Sequence, residues 1–228
     1  MHTRIAALVS ALVLVFTPLA VHAQGAAQAA QQPVTASHAG FESAFSLFQR
    51  ASGGDKDQVE PAIAAFEKLS ASDPKQPLFG AYLGSALTLR GRDALMPWNK
   101  MKAAEAGLDY LDKALRQLKP EHDKESLRGV PVSLETRMLA ARTFLILKDD
   151  IFHRRSQGKS LLGQVQNNPA LATTPTNFQA SVLITAAQLA NQEKRSADEA
   201  ALLKQALAKQ ATGLEADGAR ARLKELGQ

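Results

Sequence analysis

The residues in this sequence whose types and spacing could do chemistry fall into a few clusters, and each asks for a different partner. Gly158-Lys159-Ser160 matches the end of a loop that cradles phosphates with backbone N–H groups and a lysine. That loop also needs a preceding strand and a glycine where His153 stands, and the tripeptide lies in a helical pattern, so nucleotide binding is not expected. His153-Arg154-Arg155, with Lys159 one turn later, gathers cations that suit a phosphate or an acidic peptide side chain. The same residues also read as a solvated helix face, with Asp150 placed one turn before Arg154. Around the lone tryptophan, Arg90, Arg92 and Lys100 flank Pro97-Trp98. This is the leading recognition candidate, because Trp and Arg dominate the energetics of interfaces. The alternative is that Trp98 packs beneath its own loop and locks a kink.

Metal and nucleophile chemistry find less. His38, His122 and His153 stand apart from one another, with no paired spacing that would hold zinc. His122 sits beside Glu121, Asp123 and Glu125 in what reads as a solvated acidic loop. Cysteine is absent, which removes thiolate ligands, thiol nucleophiles and disulfides. No Gly-x-Ser-x-Gly elbow appears, and no pair of acids is set off from the helix surfaces. The sequence asks for no cofactor and no metal, and it is read as that of a binding protein rather than an enzyme.

The elements that must position these residues are all helical. Phe41, Ala44, Phe45 and Phe48 form one apolar face over 39–52, ended by Gly53-Gly54. Further helices are expected over 58–71, 77–90, 101–118, 132–147, 150–167, 176–191, 196–210 and 213–226. Pro61 fits a first turn, Gly91 and Pro120 act as stops, and Asp149 or Asp150 serves as an N-cap. Ser196 with Glu199 reads as a capping box, and Gly213 separates the last two helices. No segment alternates as a strand would. The fold class is all-α, either antiparallel helix pairs in a short αα-solenoid or an irregular helical bundle.

A repeat runs through this pattern. Ala62, Phe66, Leu69 and Pro74 place a small residue, a large apolar one four later, another apolar one three later, and a proline after the helix. Leu83-Gly84-Ser85-Ala86 and Gly91 follow in register. Gly107, Leu111, Ala114 and Pro120 repeat the layout, as do Gly158, Leu162, Val165 and Pro169. Small residues let paired helices approach, the large one fills the groove between units, and proline turns the chain into the next unit. Over about 41–120, and more loosely to the C-terminus, the chain resembles the tetratricopeptide repeat family. It departs from that family where Gly80 replaces an early aromatic, and around 93–105, where an insertion breaks the second unit. The resemblance implies a concave face that binds peptides or protein surfaces, with no chemistry of its own.

The N-terminus reads as a secretory signal: Arg4, the apolar run Ile5 to Phe16, the breaker Pro18, and Val21-His22-Ala23 before a cut after Ala23. The apolar run is shorter than the roughly 20 residues a membrane span needs, and no integral membrane segment is expected in the mature chain. Residues 24–38, rich in Ala and Gln, read as a disordered spacer, and 39–228 as one TPR-like all-α domain. Loss of Arg4 takes the formal charge from +5 to +4. The charges are interleaved rather than striped, so a nucleic-acid partner is not expected. The expected protein is periplasmic or secreted, an adaptor or scaffold of the bacterial envelope with a protein or peptide partner. A small-ligand or envelope-polymer binder is the alternative, and an envelope hydrolase ranks third.

Overall fold

A computed structural model describes residues 40–228; the expected signal (1–23) and spacer (24–38) lie outside the described residues. Ten helices account for most of what is described: α1 (40–52), α2 (Val59–Ser72), α3 (Pro77–Asp93), α4 (Pro97–Gln117), α5 (Val132–Ile146), α6 (Asp149–Phe152), α7 (Arg155–Gln166), α8 (Thr176–Gln192), α9 (Ser196–Lys209) and α10 (Leu214–Glu225). Three short 3-10 turns join them, and the described residues contain no strand, only an isolated bridge from Ser126 to Pro131. The all-α class expected from the sequence is the class observed.

The helices pack as antiparallel hairpins, α1 with α2, where Gly40 approaches Leu69 and Phe48 meets Phe66, α3 with α4, α5 with α7 and α8 with α9, and α10 closes the C-terminal end. The small residues of the repeat sit where the hairpins are tightest. A Cβ on Gly84 would lie 2.6 Å from the Gly107 carbonyl oxygen, and one on Gly107 would lie 2.5 Å from the Gly84 oxygen. The backbones of α3 and α4 therefore touch, and only glycine fits at either position. Gly158 of α7 meets α5 in the same way, 2.9 Å from Leu145 Cγ if a Cβ were added. The large residues of the layout, Phe66, Leu111 and Leu162, are buried, as are Leu69, Ala114 and Val165. Each such leucine contributes about 2 kcal/mol through removal of its apolar surface from water.

Successive hairpins run in register. Tyr82 bonds Glu135 and Ser85 bonds Thr143, advancing together along α3 and α5, so those two helices are parallel. Arg142 to Ser181 and Gln192 to the Leu145 carbonyl give the same result for α5 and α8. The row curls until its ends meet: a Cβ at Gly53, in the turn after α1, would lie 2.8 Å from Leu214 Cδ1 at the start of α10. The core divides into an aromatic cluster around Phe41, Phe66, Phe79 and Tyr82 and an aliphatic one centred on α5, α7 and α8.

Four local expectations are corrected. The helix expected over 101–118 begins at Pro97, because proline's fixed φ and missing N–H suit the first position of a helix. The single helix expected over 150–167 is two, split where His153 takes φ 53 and ψ 40; the Asp149 carboxylate then accepts from Arg155 N, 2.8 Å away, at the start of the second. The capping box at Ser196 does not form: Arg195 holds the N-cap position, and Glu199 is buried and turned toward α10. His122 is buried rather than solvated, and its Nδ1 accepts the Lys119 backbone N–H at 2.9 Å.

Candidate functional site

The first helix of each hairpin and α10 wall a groove of about 810 Å³ on the inner side of the curl. Because α5 and α8 run parallel, residues a turn apart on each of them face the groove, and α3 adds Tyr82. Phe45 and Phe48 on α1, Met138 and Leu139 on α5, and Phe178 and Ile184 on α8 supply apolar patches. The same lining includes amide side chains, Gln49, Asn177, Gln188 and Asn191, which can both donate and accept hydrogen bonds.

Two polar clusters fix the walls. Near the aromatic end, Tyr82 Oη donates to Glu135 Oε1, and Arg128 Nε donates to the same oxygen at 2.6 Å. The Arg128 guanidinium also lies 4.1 Å above the centre of the Phe45 ring. These contacts tie α1, α3, α5 and the loop before α5 to one carboxylate. Burial, and then the adjacent Glu135 charge, push the Tyr82 phenol well above its ordinary range, so it remains a hydrogen-bond donor and is no proton acceptor. Glu135 Oε2 is buried and has no partner among the described residues.

At the other end, Arg142 NH1 donates to Glu215 Oε1 at 2.7 Å and to Ser181 Oγ at 3.3 Å, joining α5, α8 and α10. Arg222 grips Glu199 through Nε at 2.6 Å and NH2 at 3.1 Å, and reaches Asn191 at 3.0 Å. Its hydrogen bonds to Glu199, and then to Glu225, hold the Arg222 guanidinium above its usual range. The groove thus has one wall set by an aromatic and buried ionic cluster, and an opposite wall set by arginine–carboxylate pairs, Arg142–Glu215 partly exposed and Arg222–Glu199 with its carboxylate buried. This arrangement can orient a polar, extended ligand. Among the described residues, no group of three or more His, Asp or Glu side chains gathers as a metal would require.

The residues singled out from the sequence lie elsewhere. Arg90 pairs with Glu60 on α2 through two hydrogen bonds of 2.7 and 2.5 Å. Arg92 holds Asp93 and the Ala51 carbonyl. Pro97, Trp98 and Lys100 form the first turn of α4, and all three are exposed, so Trp98 does not pack beneath its loop. Arg154 is answered by Asp112 of α4 at 2.6 Å and lies over Phe144, while Arg155 Nε is buried without a partner among the described residues. Asp150 is not the residue that neutralises Arg154. None of these seven residues lines the groove. Sequence reasoning missed the groove residues because each is an ordinary polar position on a helix; the signal that could have found them is a polar side chain on the predicted inner face of a repeat's first helix.

No protein-family model matches the chain, and no curated protein and no solved structure matches it either.

Proposed function

We propose that this chain is a non-catalytic adaptor of the bacterial envelope, related in plan to tetratricopeptide repeat proteins, whose inner groove takes an extended segment of a partner protein. The observation that carries the reading is the lining of the groove. Amide side chains of α1 and α8 (Gln49, Asn177, Gln188 and Asn191) share the lining with apolar ones (Phe45, Phe48, Met138, Leu139, Phe178 and Ile184), which suits an extended polypeptide, whose backbone needs hydrogen-bond partners and whose side chains need apolar contact. Export to the periplasm or beyond remains part of this proposal and rests on the Arg4 to Ala23 segment. A small-ligand or envelope-polymer binder using the same groove is the second reading. The groove's volume, about 810 Å³, suits it, because ligand pockets span roughly 300–1,000 Å³.

The test is site-specific photo-cross-linking in cells. A photoreactive residue replaces Gln188 inside the groove, and in a separate strain Lys68 on the exposed side of α2. The adaptor reading expects a discrete protein adduct from position 188 and none from position 68. Equal labelling from both positions, or no protein adduct from 188, would overturn it. A glycan or other small adduct from 188 would transfer the groove to the second reading.

A further inference from the structure

The strongest feature outside the groove is the tip of the α3–α4 hairpin. Leu95 is 90% exposed, Met96 47% and Trp98 66%, three large apolar side chains within four consecutive residues. They stand on the turn between α3 and α4, just past the point where Gly91 lets the two helices approach: a Cβ there would lie 3.0 Å from the Lys100 carbonyl oxygen. Lys100 and Lys102 follow on the exposed first turns of α4 and make no ion pair among the described residues. Of the carboxylates around them, Asp93 is engaged by Arg92 and Glu60 by Arg90, whereas Glu105, one turn beyond Lys102, is exposed and in no ion pair among the described residues. Because α3 and α5 run parallel, the turn after α5 lies on the same edge of the stack. That turn exposes Ile146 and Ile151 on either side of Lys148, which is likewise unpaired among the described residues. Five of the seven large apolar side chains exposed among the described residues therefore belong to the turns that follow α3 and α5.

We infer that this edge docks on an anionic lipid surface, with Leu95, Met96 and Trp98 inserted to the headgroup boundary and Lys100, Lys102 and Lys148 set among the phosphates. The chemistry selects a bilayer over a protein pocket. A pocket demands a matching concave shape around a fixed anchor, whereas a bilayer accepts exposed apolar side chains in any arrangement. Tryptophan favours the interface because its ring is apolar and its N–H is polar. Lysines one or two turns behind extend their stems along the apolar layer and place their charges at the phosphates. Helix α4 begins without a side-chain cap, so the positive end of its dipole faces the same layer. The described helices include none long and apolar enough to cross a membrane, and this attachment needs none. The edge shares no residue with the groove lining, so this inference stands or falls apart from the proposed peptide binding.

Trp98 is the sole tryptophan of the chain, so its fluorescence reports the tip alone, whatever the residues before position 40 do. The full chain is mixed with phosphatidylglycerol-rich vesicles whose acyl chains carry bromine, and separately with phosphatidylcholine vesicles carrying the same label. The expected result is a blue shift of Trp98 emission and quenching on the anionic vesicles, with little of either on the zwitterionic ones. Leu95→Ser with Met96→Ser should weaken partitioning about tenfold or more and abolish the quenching. Lys100→Gln and Lys102→Gln should each weaken it roughly fivefold at low salt. These side chains are exposed, so the variants should keep the parent melting temperature, which serves as the folding control. Unchanged Trp98 emission overturns the inference even if the chain sediments with vesicles through another segment. Equal quenching on both lipids overturns its anionic part, and quenching retained by the double serine variant overturns the assignment to the tip.

Discussion

The N-terminal and C-terminal halves of the stack solve the same packing problem with different materials. From α1 to α4 the helices are held by dry contacts: Phe41, Phe66, Phe79 and Tyr82 interlock, with ring centroids 4.9 Å apart for Phe66 and Tyr82, and the α3 and α4 backbones meet at Gly84 and Gly107. From α8 to α10 the core consists of alanine and leucine with Ile184, and ionic contacts join these elements to one another and to α5 and α7: Arg142 to Glu215, Arg222 to Glu199, and Lys159 to Glu193. The aromatic half also carries an ion pair, Glu60 with Arg90, but at its surface. Shape complementarity in a dry interface changes little with conditions, whereas partly exposed ion pairs weaken with salt and acid. The aromatic wall of the groove is therefore expected to respond less to salt and acid than the other.

The most damaging substitution should be Gly107→Val. Its side chain has no room against the Gly84 oxygen and Thr88 Cγ2, both within 2.6 Å of a Cβ. Urea unfolding should show a loss of about 3 kcal/mol or more; a loss below about 1 kcal/mol would mean that the hairpin opens easily and that the contrast between the halves is wrong. Next comes Glu199→Ala, which leaves Arg222 without its main partner. The melting temperature should fall by a few degrees, and amide exchange should accelerate in α9 and α10 while α3 and α4 keep their protection. Uniform acceleration across the chain would erase the distinction.

Acid sharpens the same comparison. Hydrogen bonds from Lys159 and then Arg195 hold the Glu193 carboxyl below its ordinary value of 4.5. A carboxylate lowered in this way contributes stability that is present in full above the unfolded pKa and is lost as pH falls through the folded one. Below about pH 4.5, exchange should rise in α8 and α9 before the aromatic cluster loosens, and added salt should move it the same way at neutral pH. The smallest expected effect has the opposite sign. Gly163 in α7 has nothing within 4 Å of a Cβ, so Gly163→Ala should stabilise by up to about 1 kcal/mol. The result beside Gly107→Val separates glycines that pack from those that merely occupy a helix.

Much of the fold was legible in the sequence because its signals are local. Gly107 and Gly158 announce close helix approach, Phe66, Leu111 and Leu162 mark the faces that fill it, and the prolines mark the turns. A fourth instance was hidden. Glu199, Leu203 and Ala206 have the same spacing in α9, but a glutamate occupies the small position and survives burial only because Arg222, from the next helix, meets it. A contact made across sequence leaves no mark in the local pattern. The groove was illegible for the same reason: Gln188 and Asn191 look like any exposed amide until α5, α8 and α10 are brought face to face. Trp98 was legible as unusual, but its exposure was not, because a proline beside an aromatic fits a buried kink and a helix start equally well.

The meeting of Gly53 with Leu214 changes how the molecule should yield to force. An open row of hairpins peels from either end, one unit after another, because each unit leans only on its neighbours. The approach of Leu214, itself 68% exposed, to Gly53 gives the first and last elements a neighbour besides their own. Stretched between its two ends in a single-molecule trap, the chain should resist until that contact parts and then give way in one large step, and Leu214→Ser should restore a staircase of smaller ones.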